Sequence, residues 1–100
     1  MPLALSANQR RHLRGLAHPL KPLIMVGARG ITDPLVAELD STLERHELLK
    51  VKVAAEDREA RDALIEALLA RSEATLVQRV GNVATFYRRA RENPQIVLPR

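Results

Sequence analysis

This sequence of 100 residues predicts an α/β (α+β) domain, ordered helix, strand, helix, strand, helix, strand, strand around a four-stranded mixed sheet. Three observations carry that prediction. An unbroken apolar run, Leu23-Ile24-Met25-Val26, and a strict alternation, Leu49-Lys50-Val51-Lys52-Val53, are each followed by a segment whose apolar residues recur at helical spacing. Two further strand-like runs then flank Gly81-Asn82, a two-residue hairpin signal with glycine at the first central position. Strands that alternate with helices imply parallel crossovers, whereas a hairpin reverses one strand, so the sheet is mixed. Spacing alone leaves the strand order open.

The first helix is expected over residues 6–17. Ser6-Ala-Asn-Gln9 matches a capping box, in which the serine hydroxyl and the glutamine side chain each satisfy an amide at the helix start. Leu13, Leu16 and Ala17 line one side; Gly15 weakens the helix, and His18-Pro19 ends it. Arg10, Arg11 and Arg14 are three and four apart and so share one flank. Like charges there repel one another unless something neutralises them. Phosphate is one candidate, and an ordinary solvated face is the other reading.

The run Leu23 to Val26 reads as a short strand buried on both faces, with Pro22 at its first position, where a missing amide matters least. Gly27-Ala28-Arg29-Gly30 follows. Two glycines three apart permit positive φ and close backbone approach, and Thr32 before Asp33-Pro34 is a helix N-cap with proline in the first turn. The turn therefore delivers the chain to the positive end of a helix dipole, with Arg29 adding a full charge, an arrangement suited to an anion. A GxxG after a strand is also often nothing more than a tight turn. The fuller nucleotide fingerprints, GxGxxG and GxxxxGK followed by Ser or Thr, are absent, which disfavours a mononucleotide and leaves a clamp for a phosphate backbone.

The second helix is expected over 33–46, with Leu35, Val36, Leu39 and Leu43 on one arc and Glu38, Asp40 and Glu44 opposite. His46 falls near the apolar arc, as a core-edge or capping residue. In the second strand, alternation buries Leu49, Val51 and Val53 and presents Lys50 and Lys52 on the other face, where they either extend a basic patch or blunt an exposed edge. Glu56-Asp57 opens a helix to about residue 71. Its broad apolar set, Ala60, Leu64, Ile65, Ala67, Leu68 and Leu69, marks it as the most buried of the three. Strands follow over 75–80 and 83–88. Residues 91–100 form an irregular tail, in which Ile96, Val97 and Leu98 either dock on the domain or add a short strand.

One hundred residues make a single domain, spanning 1–100, with 46% hydrophobic and 28% charged residues. Phe86 and Tyr87 are the two aromatic residues, so the core is aliphatic and an aromatic platform for stacking bases is lacking. Cysteine is absent, which removes disulfides, thiolate metal sites and cysteine nucleophiles. The opening MPLAL is too short for a signal peptide, and no apolar run approaches the roughly 20 residues that cross a bilayer. A cytoplasmic protein with no membrane association is expected. The net charge of +4 conceals a segregation: residues 1–31 carry +5 with no acid, residues 32–73 carry −5, and residues 74–100 carry +4. Such segregation suggests one positive face for a polyanion and an acidic face turned away.

Three segments, LRGLAHPLKPLIMVGARGIT, HELLKVKVAAEDRE and VATFYRR with a closing LPR, closely resemble the YhbY family, the stand-alone bacterial form of the chloroplast RNA splicing and ribosome maturation (CRM) domain. The resemblance covers nearly the whole chain. It implies a fold like the C-terminal domain of translation initiation factor three, RNA binding, and association with precursors of the large ribosomal subunit. By matching positions it implicates Arg14, His18, Lys21, Gly27, Gly30 and the pair Tyr87-Arg88. Ala28 stands where relatives often carry a polar or basic residue, which leaves Arg29 to supply the loop's charge.

The expected function is therefore non-catalytic RNA binding in ribosome assembly by a monomer. Arg10, Arg11, Arg14, His18, Lys21, Gly27, Ala28, Arg29, Gly30, Lys50, Lys52 and Arg88 are the candidate contacts. No cofactor or metal is expected. His12, His18 and His46 lack metal-site spacing, and Ser6, Ser41 and Ser72 lie in no nucleophile motif, so catalysis is disfavoured. The alternative class is a protein-interaction module that sets its acidic second and third helices against a basic ribosomal protein.

Overall fold

In the computed structural model, which describes residues 4–100, seven elements follow the expected order: α1 (Ala7–Ala17), β1 (Ile24–Val26), α2 (Asp33–His46), β2 (Leu48–Val53), α3 (Arg58–Ser72), β3 (Thr75–Val80) and β4 (Val83–Tyr87). Met1, Pro2 and Leu3 of the MPLAL stretch lie outside the described residues. All three helices begin on the side chains that their sequences offer. Ser6 and Gln9 close the capping box of α1, Thr32 accepts from the Leu35 amide at 3.2 Å, and Asp57 accepts from the Ala60 amide at 2.8 Å.

The sheet is mixed, in the order β1-β2-β4-β3. β1 runs parallel to β2, and β4 runs antiparallel to both β2 and β3. The hairpin strand β4 thus enters the middle of the sheet and β3 takes the edge. Burial explains the choice: Ala84, Thr85, Phe86 and Tyr87 are all buried and so need cover on both faces, whereas β3 carries Gln78 and Arg79 and ends on exposed Val80. A bulge between Leu76 and Gln78 interrupts the β3 ladder. Arg10 reaches across from α1 to the carbonyls this exposes, donating to Leu76 O and, at 2.9 Å, to Val77 O.

Strand alternation divides the apolar residues between two cores. On the inner face Ile24, Val26, Leu49, Val51, Val53, Ala84 and Phe86 meet Leu39 and Leu43 of α2 and Ile65 and Leu68 of α3. On the outer face Leu13 and Ala17 of α1 meet Leu48, Val77 and Tyr87, joined by Ile96 and Leu98 of the tail.

Three burial expectations are corrected. β1 is an edge strand open on one face, with Met25 67% exposed, because α1 crosses β2, β4 and β3 and leaves β1 uncovered. Helix α3 is not the most buried: Ala60 and Ala67 face solvent, and its sealed positions reduce to Ile65, Leu68 and Ser72. Alanine widens an apolar arc on paper without requiring burial. Leu16, expected on the packed side of α1, is 42% exposed.

Residues 88–100 adopt no helix or strand, yet they are fastened to the domain. The fastener is Glu47, which caps α2 at φ 63 and is 1% exposed. Its carboxylate accepts from the amides of Ala90 at 2.8 Å, Gln95 at 2.7 Å and Ile96 at 2.9 Å. Burial pushes this carboxyl's pKa up, but the three amides and the nearby Arg89 outweigh that, so it lies below the ordinary carboxylate range. Glu44 adds a second hold, accepting from the Arg91 and Glu92 amides, which also draw its carboxyl down.

Candidate nucleic-acid interface

Gly27 to Gly30 form a tight turn between the exit of β1 and the start of α2, closed by the Gly30 amide donating to Gly27 O at 2.9 Å. Gly30 sits at φ 68, which a side chain adopts only at a cost. Gly27 has no such constraint. A Cβ built on either glycine meets nothing within 4 Å, so neither is glycine because the protein itself crowds it. Gly27, Ala28 and Arg29 are exposed, and the amides of Ala28 and Arg29 donate to no group among the described residues. The turn therefore offers two free amides and one guanidinium to solvent. The helix behind it is partly occupied: Thr32 takes one first-turn amide, and Asp33, already at the helix start, pairs with Arg71 at 2.9 Å. An anion is thus served better by the turn than by the helix dipole.

The basic residues expected to contact RNA separate into two groups; outside that set, Arg45 of α2, Arg58 of α3, Arg89 and Arg100 are exposed and form no ion pair among the described residues. Arg11, Arg14, His18, Lys21, Arg29 and Lys52 are exposed and Lys50 is half-buried, and none of them forms an ion pair among the described residues. The second group is engaged with the protein. Arg10, expected beside Arg11 and Arg14, instead holds the β3 bulge. Arg88, expected on the RNA face, has a side chain only 10% exposed. It donates to Asp40 Oδ1 at 2.6 Å, to Asp40 O at 3.0 Å and to Ser72 O at 3.0 Å, so it ties the exit of β4 to α2 and to the end of α3. Both arginines are engaged within the protein for one reason: each faces carbonyl or carboxylate oxygens that would otherwise lack a strong donor. Arg79 and Arg91 are likewise paired, with Asp62 at 3.4 Å and Asp40 at 3.7 Å.

The acids are sided. None of the twelve acidic residues lies in α1 or in any strand; they fall in α2, α3, their flanks and the tail. Arg11 and Arg14 stand on α1, and Lys50 and Lys52 point to the outer sheet face with it, since Leu49, Val51 and Val53 occupy the inner one. Lys52 pairs in register with Met25, two residues before Gly27, so the lysine row runs up to the glycine turn. Because β2 is an interior strand, these lysines do not guard an edge.

The buried anchor Glu47 is the structural group that sequence reasoning missed. A lone acid between a helix end and an apolar run, with no glycine to terminate the helix, was the available signal. Among the described residues no cluster of three metal-capable side chains occurs, and no helix is long and apolar enough to cross a membrane.

Comparison with known proteins places this arrangement. Residues 5–88 match the family model of the CRS1 / YhbY (CRM) domain. An RNA-binding protein of Haemophilus influenzae is 43% identical over 96 residues, 96% of each chain. Probable RNA-binding protein YqeI of Bacillus subtilis is 39% identical over 95% of this chain and 99% of that one. The solution structure of SAV1595 from Staphylococcus aureus superposes with a TM-score of 0.80 at 36% identity, covering 96% of this chain and all of that one. With its sequence matched nearly end to end and its fold reproduced, the chain belongs to the CRS1/YhbY (CRM) domain family.

Proposed function

We propose that this chain is a non-catalytic RNA-binding protein of the cytoplasm, a single RNA-binding unit that acts as a monomer on precursors of the large ribosomal subunit. The observation that carries this reading is the coincidence of two features. A solvent-open glycine turn with free amides lies at one end of a molecular side that holds unpaired arginines and lysines and no strand or α1 acid. Phosphates of the ribosomal RNA precursor are held at Gly27, Ala28, Arg29 and Gly30, while Arg11, Arg14, His18, Lys21, Lys50 and Lys52 supply a field that positions the chain without reading bases. Selectivity then rests on RNA shape, as both aromatic residues are sealed in the cores.

Filter binding to ribosomal RNA fragments tests the loop directly. Arg29→Glu should weaken binding by roughly tenfold or more, whereas Glu38→Gln, on the acidic side, should leave it unchanged. Equal affinities for the two variants would remove the loop from the reading.

A further inference from the structure

The outer sheet face is only half covered. α1 and the tail seal the end occupied by Leu48, Val77 and Tyr87, while the other end carries Met25 and Val80, each 67% exposed, beside Leu20 at 39%. Pairing sets these residues side by side: Met25 opposes Lys52, Lys50 opposes Thr85, and Thr85 in turn opposes Gln78. The segment from Leu20 to Pro22 borders a hollow of about 260 Å³ over Lys50, Val83 and Val80. Large exposed apolar side chains on the two edge strands, flanking unpaired lysines on the interior strand β2, are not explained by core packing, and lysines on an interior strand do not protect an edge.

We propose that this open half-face is a second RNA-contacting surface, which takes a single-stranded segment with its phosphates on Lys50 and Lys52 and its bases against Leu20, Met25 and Val80. The proposal rests on the RNA-binding reading above and extends it beyond the glycine turn. Charge narrows the occupant to a polyanion, and the RNA-binding reading above makes that polyanion RNA. No acid lies on any strand, so a basic protein is repelled, and a second copy docking symmetrically would set lysine against lysine. Duplex RNA presents phosphates but keeps its base faces stacked inside, and would leave the apolar residues uncovered. A single strand offers both a charged chain and flat apolar rings. Lys50 and Lys52 project roughly 7 Å apart along β2, a spacing that an extended nucleotide spans. The methionine thioether suits contact with an aromatic ring, and aliphatic contacts carry no base preference, so binding here is sequence-tolerant.

Fluorescence anisotropy with a labelled short oligouridylate and a labelled RNA hairpin tests this in the full chain. Lys50→Gln/Lys52→Gln should weaken oligouridylate binding on the order of tenfold at 0.1 M salt and flatten the salt dependence by about 1.4 log units per log unit, 0.7 for each lost phosphate contact. Met25→Ser should weaken the oligouridylate severalfold with the salt slope unchanged, and both variants should affect the hairpin less. All three positions are at least partly open to solvent, and a circular dichroism melt on each variant establishes that it folds. Wild-type affinity for oligouridylate in both variants overturns the proposal; if Arg29→Gln still loses the hairpin, the loop reading stands alone. Wild-type protein that binds neither RNA removes both. Unchanged RNA affinity together with loss of a concentration-dependent dimer in Met25→Ser, read by sedimentation, assigns the face to a protein contact instead.

Discussion

Glu47 holds a carboxylate at 1% exposure and positive φ, aimed at three amides of the chain's own tail. Ionised, it accepts from all three; as an amide it would present a donor to donors. Glu47→Gln should therefore cost about 2 kcal/mol in urea unfolding at neutral pH and render residues 89–100 sensitive to protease. The pH dependence has a definite sign. The folded-state pKa lies below the ordinary 4.5, so the stability Glu47 contributes is fully present above that value and is lost as pH falls through the lower folded value. Wild-type stability should fall in that acid window, and Glu47→Gln should show a shallower fall; identical acid limbs would show that the carboxylate is not the anchor. Arg88 makes the matching point for a cation. Arg88→Met removes donors from Asp40 and Ser72 O and should cost about 1–2 kcal/mol, a figure kept low because Asp40 is 45% exposed. RNA affinity of the folded protein should not change with it, and a marked loss would return Arg88 to the contact surface.

The glycine turn shows how an element can be conformationally demanding at one end and open at the other. Gly30→Ala meets the positive φ and should cost about 1–2 kcal/mol in a thermal or urea melt. Gly27→Ala meets neither strain nor a neighbour, so its melt should stay within about 0.5 kcal/mol of wild type, while its RNA affinity falls if phosphate approaches that backbone. A Gly27→Ala protein that melts and binds like wild type would show that the close approach does not occur there. Much at this level was legible in advance. Helix starts at Ser6, Thr32 and Asp57, the hairpin at Gly81-Asn82 and the alternation of β2 depend on residues within a few positions of one another, and local chemistry decides them. The burial of β1 was not legible, because an apolar run of three or four residues looks the same whether its second face is covered or left open. The tasks of Arg10 and Arg88 were hidden for a related reason. An arginine on a helix flank or strand end has one appearance in sequence, and whether it meets phosphate or the protein's own carbonyls depends on partners 66 and 48 residues away.

Taken whole, the molecule is a sheet that keeps its acids off α1 and off every strand. The segregation visible along the chain becomes sidedness in space because the basic first third builds α1 and β1, while the acidic middle builds the two helices packed on the inner face. Strand order could not be read from spacing, yet it positions the candidate surface: β4 inserts beside β2, which makes β2 interior and sets Lys50 and Lys52 in the open sheet rather than at its rim. Of the candidate residues, the glycine turn, Arg11, Arg14, His18, Lys21, Lys50 and Lys52 stand free for a partner, and Arg10 and Arg88 do not. The central claim is that the turn's free amides meet RNA phosphate. Titrating a structured ribosomal RNA fragment into ¹⁵N-labelled protein and following the amide resonances examines it most directly. The account predicts the largest shifts at Gly27, Ala28, Arg29 and Gly30, with the exposed faces of α2 and α3 silent. Shifts concentrated on those two helices, with the glycine turn unmoved, would contradict it.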